Sequence, residues 1–395
     1  MKILFWMFTG FDRHVTSEHL LSAVIEQLCA DGHSVHILQK DTGGDLPAIP
    51  KTLSGYPVTT DAIPFQAAGK GNFVGRYLAE LRYIRACKKH IWAGYDAVFL
   101  QSNNVAGFAV KAVRRRLPRA ILTFNVQDIF PYNAAFSGSI RRGGVLFRAL
   151  AAVQRYAYRH ADHVVTISED MRDTLVADGT DAEKIAVVYN WSYQDAPYEN
   201  LDLAPVAHLF PRDRFHVVYA GNLGVMQNVE LLIETAREMR DDADVQFHII
   251  GDGVYGQKLR AKAEAYGLAN VVFLPMQPPE LAPLIYSAAD VNVIPLRRDI
   301  FRTALPSKTA TCLACGRPII FAIGTESRFA RTAAEAAGCR VTEPDRPEQL
   351  AEAIRAVRSE GRVAGDCAFF QSHFSRSANS RAYAGIITCG ISGTQ

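Results

Sequence analysis

Positive charge gathers around Lys308 and is the strongest chemical signal in the sequence. Arg297, Arg298 and Arg302 lie within the eleven residues before Lys308, on a segment that follows a predicted buried strand ending at Pro295. Guanidinium and ammonium groups bind phosphate oxygens through charge-assisted hydrogen bonds. The cluster therefore predicts an anion site suited to a diphosphate, and a solvated basic loop is the alternative.

Ser307 adds to this prediction because it lies between Pro306 and Lys308, at the start of a predicted helix. Proline fits the first turn of a helix, where backbone N–H groups have no intrahelical partner. Those N–H groups, the Ser307 hydroxyl and the Lys308 ammonium would converge on one anion. We predict that Lys308 is a catalytic cation assisted by Arg302, and that Ser307 binds the same phosphate.

Two glycine turns each follow a predicted strand. The first contains Gly221 and Asn222, and the second begins at Gly251. Glycine lets the backbone approach a ligand closely, and a helix start after such a turn favours a phosphate. We predict that Gly221, Asn222 and Gly251 contact the ligand, although a tight turn without a ligand explains either motif equally well.

Asp128 lies just beyond a predicted strand over residues 121–124. A carboxylate at the end of a buried strand can act as a general acid or base, or can bind a sugar hydroxyl. We predict a catalytic role for Asp128, while a helix cap or a local turn remains an equal alternative.

The elements that position these residues form two successive series of alternating strands and helices. The polar segment 192–212 separates them and contains three prolines. Continuous apolar strands followed by helices are typical of parallel sheets that are covered on both faces. The sequence thus predicts an α/β protein with two Rossmann-like domains, whose strand ends would face each other across a ligand-binding cleft. We expect the domains to span 1–197 and 198–369.

The bulk composition excludes several classes of protein. With 395 residues, 49% of them hydrophobic, the chain has enough apolar mass for two cores, and a net charge of +3 does not predict a nucleic-acid partner. Seven scattered cysteines are typical of reduced thiols. Cys312 and Cys315 lie on a predicted helix and are expected to pack in the core, and no metal site is predicted.

The stretch from Lys70 to Trp92 alternates six cations with aromatic and aliphatic residues. Such a composition is typical of a helix that lies on an anionic membrane, and equally of an ordinary amphipathic helix with a solvated face. The sequence has no signal-peptide pattern and no apolar run long enough to span a bilayer. We therefore expect a cytoplasmic protein that contacts a membrane, if at all, from its inner surface.

These motifs, in their order along the chain, resemble the retaining glycosyltransferases of family 4, which have the GT-B fold. The matching stretches are 126–131 (VQDIFP), 165–169 (VTISE), 189–191 (YNW), 219–224 (YAGNLG), 249–253 (IIGDG), 270–274 (NVVFL), 288–295 (AADVNVIP), 305–308 (LPSK) and 316–320 (GRPII). The VQDIFP stretch resembles the branch that builds bacterial exopolysaccharide, capsule and O-antigen. The resemblance also implies that a C-terminal helix within 370–395 packs back on the N-terminal domain.

The resemblance implies a nucleotide diphosphate sugar as donor, with UDP as the expected nucleotide, and no cofactor. Its acceptor would be a saccharide or a polyprenyl-diphosphate-linked sugar. Two family glutamates that contact the donor align with Thr303 and Thr311, and the family's phosphate-binding arginine aligns with Asn222. A first loop with paired glycines is reduced to Gly10, which we expect to approach the ligand.

Two other functions fit the same resemblance. A sugar-nucleotide 2-epimerase has the same two-domain shape and would convert the donor without an acceptor. A non-catalytic partner subunit would retain the fold without activity, and Thr303 and Thr311 favour this alternative because they replace both glutamates.

Overall fold

Strands of buried aliphatic residues alternate with helices along nearly the whole chain. The computed structural model describes residues 1–12, 18–69, 73–91, 94–136, 138–361 and 365–391. These residues form two units, of which the first joins Met1–Tyr189 to the segment from Arg376 onward, and the second is Asn190–Ser375. The sequence-based limits at residues 197 and 369 differ from these by a few residues.

The first unit is built on a parallel sheet of seven strands in the order β3-β2-β1-β4-β5-β6-β7. The strands are β1 (Lys2–Trp6), β2 (Ser34–Asp41), β3 (Val58–Pro64), β4 (Ala97–Gln101), β5 (Ile121–Val126), β6 (His163–Thr166) and β7 (Ile185–Val187). The strand order reverses between β1 and β4, which is where ligands bind in open parallel sheets. The sequence analysis missed β3, because this edge strand buries only Ile63 and lacks a clear apolar pattern.

Six helices of the first unit connect these strands. They are α1 (Glu18–Ala30), α2 (Phe73–Cys87), α3 (Ala106–Arg116), α4 (Tyr132–Phe136), α5 (Val145–His160) and α6 (Glu169–Ala177). Ser168 caps the N-terminus of α6, since its hydroxyl accepts a hydrogen bond from the Met171 N–H at 3.2 Å. Helices α2, α3 and α5 pack side by side, and Gly107 of α3 allows close approach to the Val153 carbonyl of α5.

The second unit repeats this architecture with six parallel strands in the order β10-β9-β8-β11-β12-β13. The strands are β8 (Phe215–Ala220), β9 (Val245–Ile250), β10 (Val271–Leu274), β11 (Val291–Pro295), β12 (Ile319–Ala322) and β13 (Cys339–Thr342). The order reverses between β8 and β11, so the loops that follow these two strands border the expected ligand position.

Seven helices complete the second unit. They are α7 (Glu230–Glu238), α8 (Gly256–Ala265), α9 (Ala282–Ala288), α10 (Lys308–Ala314), α11 (Arg328–Glu335), α12 (Pro347–Glu360) and α13 (Cys367–Phe374). Leu232 of α7, Phe247 of β9 and Ile354 of α12 are fully buried in one apolar core. This core fixes the sheet from which the site loops project.

The last helix, α14 (Arg376–Cys389), packs on α1, β4 and β5 of the first unit. Its Tyr383 ring lies 6.1 Å from the ring of Phe99. The segment of the expected C-terminal helix, 370–395, is interrupted at Ser375, whose backbone is extended, so that α13 ends at Phe374 and α14 begins at Arg376. No helix in the described ranges is both long and apolar enough to span a membrane.

Candidate functional site

The two glycine turns of the second unit contact each other at the carboxyl ends of β8 and β9. The Gly221 N–H donates to the Ile250 carbonyl at 2.9 Å, and the Leu223 N–H donates to the Asp252 carbonyl at 2.8 Å. A β-carbon at Gly251 would lie only 1.9 Å from the Gly221 carbonyl oxygen. Both residues have a positive φ and approach each other closely. The fold alone therefore requires glycine at both positions. Their predicted ligand contacts remain predictions.

Lys308 lies against this turn. Its ammonium nitrogen is 3.7 Å from the centroid of the Tyr219 ring, and a β-carbon added to Gly221 would lie 2.6 Å from it. The Nζ atom is buried and makes no hydrogen bond with the described residues. Burial lowers the pKa of Lys308 to about 7, against a smaller opposing effect of the Cys312 thiol. Burying an ammonium without an anion beside it costs free energy, and a bound anion would reduce that cost.

Tyr219 is a site residue to which the sequence analysis gave no role. Its hydroxyl donates to the Asn222 carbonyl at 2.6 Å, which fixes the turn, while its ring contacts the Lys308 ammonium. A tyrosine two residues before a glycine turn was the available signal. Tyr219 therefore positions both the turn and the cation.

The other predicted cations have carboxylate partners. Arg302 is exposed and pairs with Asp299, with Nε and Oδ1 3.1 Å apart. Arg298 pairs with Glu343 at 2.7 Å and with Asp345 at 2.8 Å.

Arg297 is the fourth member of the predicted cluster, and its guanidinium lies 3.7 Å from the Glu230 carboxylate. Across the part of the chain that the structure describes, Lys308 is the one member without a carboxylate at ion-pair distance. The four cations thus do not act as one converging cluster, and the role of Arg302 remains a prediction.

The residues at the family's two glutamate positions differ in environment. Thr303 is almost fully buried, and its hydroxyl donates to the Ile300 carbonyl at 3.2 Å. Thr311 lies on α10, one turn after Lys308, and is partly exposed. Ser307 is exposed at the start of α10 and makes no capping hydrogen bond through its hydroxyl. Ser307 and Thr311 are therefore more accessible to a ligand than Thr303.

The predicted residues of the first unit follow two of its strands, of which β1 borders the switch point and β5 is the neighbour of β4 on the far side. Asp128 follows β5 and is partly buried. Burial raises the pKa of Asp128 to about 6, although a hydrogen bond with the Asn133 side chain acts in the opposite direction. An acid with this pKa can exchange a proton near neutral pH, as a general acid or base must.

Gly10 follows β1, where a β-carbon would lie 2.2 Å from the Lys40 carbonyl oxygen. The loop is also held by Asp12, whose carboxylate accepts hydrogen bonds from the N–H and the hydroxyl of Thr42, each at 2.7 Å. Packing between two loops accounts for this glycine, and its predicted ligand contact remains a prediction.

Cys312 of α10 and Cys315, which directly follows this helix, are both buried. Burial raises the pKa of Cys315 to about 12 and also raises the pKa of the Cys312 thiol. Within the described ranges, no group of three or more metal-binding side chains is present.

The predicted membrane-binding stretch forms α2 and the turn after it, with Lys70 and Trp92 outside the described residues. Tyr83 and Ile84 are buried, and the Tyr83 hydroxyl donates to the Met7 carbonyl at 2.6 Å. The inner side of α2 is therefore part of the core. Val74 and Leu78, near its N-terminal end, are exposed.

Two family models match the chain in order. The model of the "Glycosyl transferase 4-like domain" matches residues 18–191, and that of the "Glycosyl transferases group 1" matches residues 214–360. All but the last two residues of the first match lie in the first unit, and the second match contains the glycine turns and Lys308.

Individual proteins support the same relationship. The chain is 28% identical over 220 residues to a putative colanic acid biosynthesis glycosyl transferase, WcaI, of Escherichia coli K12. This match covers 54% of each protein, so the chain spans about half the length of that relative. It is 22% identical to a probable glycosyltransferase, WbjE, of Pseudomonas aeruginosa, over 81% of this chain and 82% of that protein.

The structure is also similar to that of Anabaena HepE in complex with UDP and glucose. The two have a TM-score of 0.66 and 18% sequence identity, over 99% of this chain and 96% of that chain. At this identity the likeness establishes the fold, a two-domain α/β fold of the GT-B type.

Proposed function

Because the chain belongs to the glycosyltransferases whose models match both of its units, we propose that it transfers a sugar with retention of configuration. The donor is a nucleoside diphosphate sugar with UDP as its nucleotide, and the transferred group is a hexosyl or N-acetylhexosaminyl residue. The acceptor is a saccharide or a polyprenyl-diphosphate-linked sugar in the synthesis of a bacterial surface polysaccharide. The names of the colanic acid relative and of HepE with UDP and glucose support this assignment.

The observation that carries the proposal is the position of the Lys308 ammonium. Its Nζ atom is buried beside Gly221 and Tyr219 and has no carboxylate partner among the described residues. It lies where the strand order of the second sheet reverses. A diphosphate at this edge supplies the negative charge that the buried lysine lacks. The lysine in turn stabilises the charge that develops on the departing phosphate.

In the proposed reaction the bond between the anomeric carbon and the phosphate oxygen breaks. The nucleoside diphosphate leaves with the bonding electron pair, and Lys308 binds the negative charge that forms. The acceptor oxygen forms its new bond to the anomeric carbon on the same face, and its proton passes to the departing phosphate. Asp128 of the first unit is proposed to bind the acceptor hydroxyl.

The proposal is tested first by donor binding. Thermal shift measurements with UDP, GDP, ADP and dTDP, alone and as their common sugar conjugates, should give the largest stabilisation with UDP compounds. Lys308→Ala should lose this stabilisation, whereas Arg331→Ala, at an exposed position on α11, should retain it. Equal stabilisation of both variants would contradict the assignment of the donor site.

Product analysis then distinguishes the activities. NMR of the product should give the same anomeric configuration as the donor, and no change of the donor sugar should occur without an acceptor. Conversion of the sugar nucleotide alone would identify a 2-epimerase. Donor binding without turnover over a panel of acceptors would favour a non-catalytic subunit.

A further inference from the structure

A segment of the first unit that includes α3 and α5 is strongly basic. Between residues 97 and 161 the sequence contains ten Lys or Arg and a single acidic residue, Asp128. These residues include α3 and α5, which pack side by side. Arg141, Arg142 and Arg148 are all exposed around the start of α5. A cationic field of this extent attracts a polyanionic partner.

Exposed hydrophobic side chains lie among these cations. Val145 and Leu146, in the first turn of α5, have exposed fractions of 78% and 47%. Val74 and Leu78 of α2 are exposed at 67% and 48%, and Phe108 of α3 at 45%. Of the eleven exposed large hydrophobic side chains among the described residues, five lie on these three helices, which indicates an interaction surface.

A small buried cluster joins the N-terminal parts of α2 and α5. Tyr77 of α2 packs against a group that contains Ile140 and Phe147. The Phe147 ring also meets the ring of Tyr132 from α4, with 5.4 Å between centroids. The cluster thus brings the N-terminal parts of α2 and α5 together, and Leu78 and Leu146 are exposed on these parts.

We propose that this basic face, formed by Leu78, Arg141, Arg142, Val145, Leu146 and Arg148, docks on an anionic phospholipid bilayer. The arginines bind lipid phosphates, and Val145 and Leu146 enter the boundary between headgroups and acyl chains. The inference rests on the proposed function only in that a polyprenyl-linked acceptor would be presented at such a surface. The main membrane contact is thus placed at the start of α5, whereas the sequence composition indicated α2.

The mixture of groups favours a bilayer over a nucleic acid. Aliphatic side chains such as Val145 and Leu146 gain free energy by leaving water for an acyl region, whereas bases are bound mainly through stacking on aromatic rings. Arginines beside exposed aliphatic residues match the two layers of an anionic membrane, phosphate outside and hydrocarbon inside.

The test is flotation of the full chain with phosphatidylcholine vesicles, with and without phosphatidylglycerol. We expect binding only to the vesicles that contain phosphatidylglycerol, and weaker binding as salt is added. The triple variant Arg141→Gln, Arg142→Gln, Arg148→Gln should lose about a hundredfold in partition coefficient, because each basic residue near the surface contributes about tenfold or less. Val145→Ser with Leu146→Ser should also lose at least about tenfold.

Matched controls separate this effect from net charge and from folding. A triple variant with glutamine at Arg212, Arg240 and Arg331, exposed positions of the second unit, changes the net charge equally and should bind vesicles like the wild type. Val176→Ser, at an exposed position of α6, is the control for the aliphatic pair. Thermal stabilisation by UDP should be unchanged in every variant.

Equal losses in the test and control triples, or equal binding to both kinds of vesicle, would overturn the proposal. Tighter binding to duplex DNA than to the anionic vesicles, lost in the arginine triple variant, would identify a nucleic acid as the partner instead. Vesicle binding is measured without donor or acceptor. A protein that transfers sugar but does not bind vesicles would overturn this proposal alone, and one that binds vesicles without transferring sugar would overturn the proposed function alone.

Discussion

The ammonium of Lys308 lies 3.7 Å from the centroid of the Tyr219 ring, buried and without a carboxylate partner among the described residues. The negative face of the ring compensates only part of the cost of burying the charge. The remaining cost lowers the pKa of Lys308 to about 7. A buried cation without a neutralising partner lowers the stability of the protein. Functional sites commonly retain such a cost in stability.

Replacement of Lys308 should therefore affect turnover more than replacement of Arg302. We expect Lys308→Ala to lower kcat/KM with a UDP-sugar by about 2–4 kcal/mol of transition-state stabilisation. Arg302→Ala should cost about 1 kcal/mol or less, because Arg302 is exposed and paired with Asp299. Steady-state kinetics of both variants, with Arg331→Ala as control, measure this, and equal effects would contradict the central role of Lys308.

The same lysine should make donor affinity depend on pH. Without ligand, Lys308 is protonated below a pKa of about 7, and the bound diphosphate should raise this pKa. The affinity should thus be constant below about pH 7 and fall by up to about tenfold per unit above it. UDP-glucose is the suitable probe for calorimetry because its diphosphate has no ionisation in this range, and a flat profile from pH 6 to 9 would contradict the linkage.

Removal of the charge should also stabilise the protein without ligand. The pKa of Lys308 is lower in the folded than in the unfolded chain, so the penalty is complete below about pH 7 and disappears toward pH 10. Lys308→Met should therefore raise the melting temperature at pH 6.5, by the equivalent of about 1–2 kcal/mol, and raise it less at pH 9.5. A lower melting temperature at both pH values would indicate that the lysine is structurally required.

The strands could be predicted from the sequence because buried parallel strands are continuous apolar runs. The apolar runs 215–220, 245–250 and 271–274 carry this signal and form β8, β9 and β10. The missed strand β3 lies at the sheet edge, where polar residues are tolerated. The break at Ser375 was missed because no proline or glycine marks it. Local patterns thus predict central elements better than edges and helix breaks.

The site could be predicted only in part. Lys308 and the glycine turns are candidates already in the sequence, because their residue types and their positions relative to the strands are visible there, and the structure places them in contact. The partners of Arg298 were not, since Glu343 and Asp345 follow it by more than forty residues and reach it only through the fold. Charge clusters in a sequence do not reveal which of their members are already neutralised.

Gly251 offers a test of the contact between the two turns. An alanine there would place its β-carbon 1.9 Å from the Gly221 carbonyl oxygen, at a φ of +150°. We expect Gly251→Ala to cost about 2–4 kcal/mol of stability. Gly267→Ala is the control, because Gly267 has a φ of +60° with open space around it, and should cost about 1 kcal/mol. Similar melting temperatures of the two variants would contradict the packing argument.

Asp128 should govern the acidic side of the pH profile if it binds the acceptor. Its pKa of about 6 lies above that of an unfolded aspartate, so its burial destabilises the protein increasingly from about pH 4 to pH 6 and fully above that. Asp128→Asn should raise the melting temperature at pH 7.5 but not at pH 4.5. It should also lower kcat and remove the acidic limb near pH 6. Unchanged kcat would restrict Asp128 to a structural role.

The two threonines at the family's glutamate positions should respond differently when glutamate is introduced. Thr303 is 2% exposed with its hydroxyl bonded to the Ile300 carbonyl, so Thr303→Glu would bury a carboxylate and cost about 2–4 kcal/mol of stability. Thr311 is partly exposed and lies three residues after Lys308 on α10, a spacing at which opposite charges attract. Thr311→Glu should keep the wild-type melting temperature and raise the pKa of Lys308, which moves the fall in UDP-glucose affinity to higher pH. If both variants unfold to the same extent, the packing around Thr311 excludes a glutamate as much as the packing around Thr303 does.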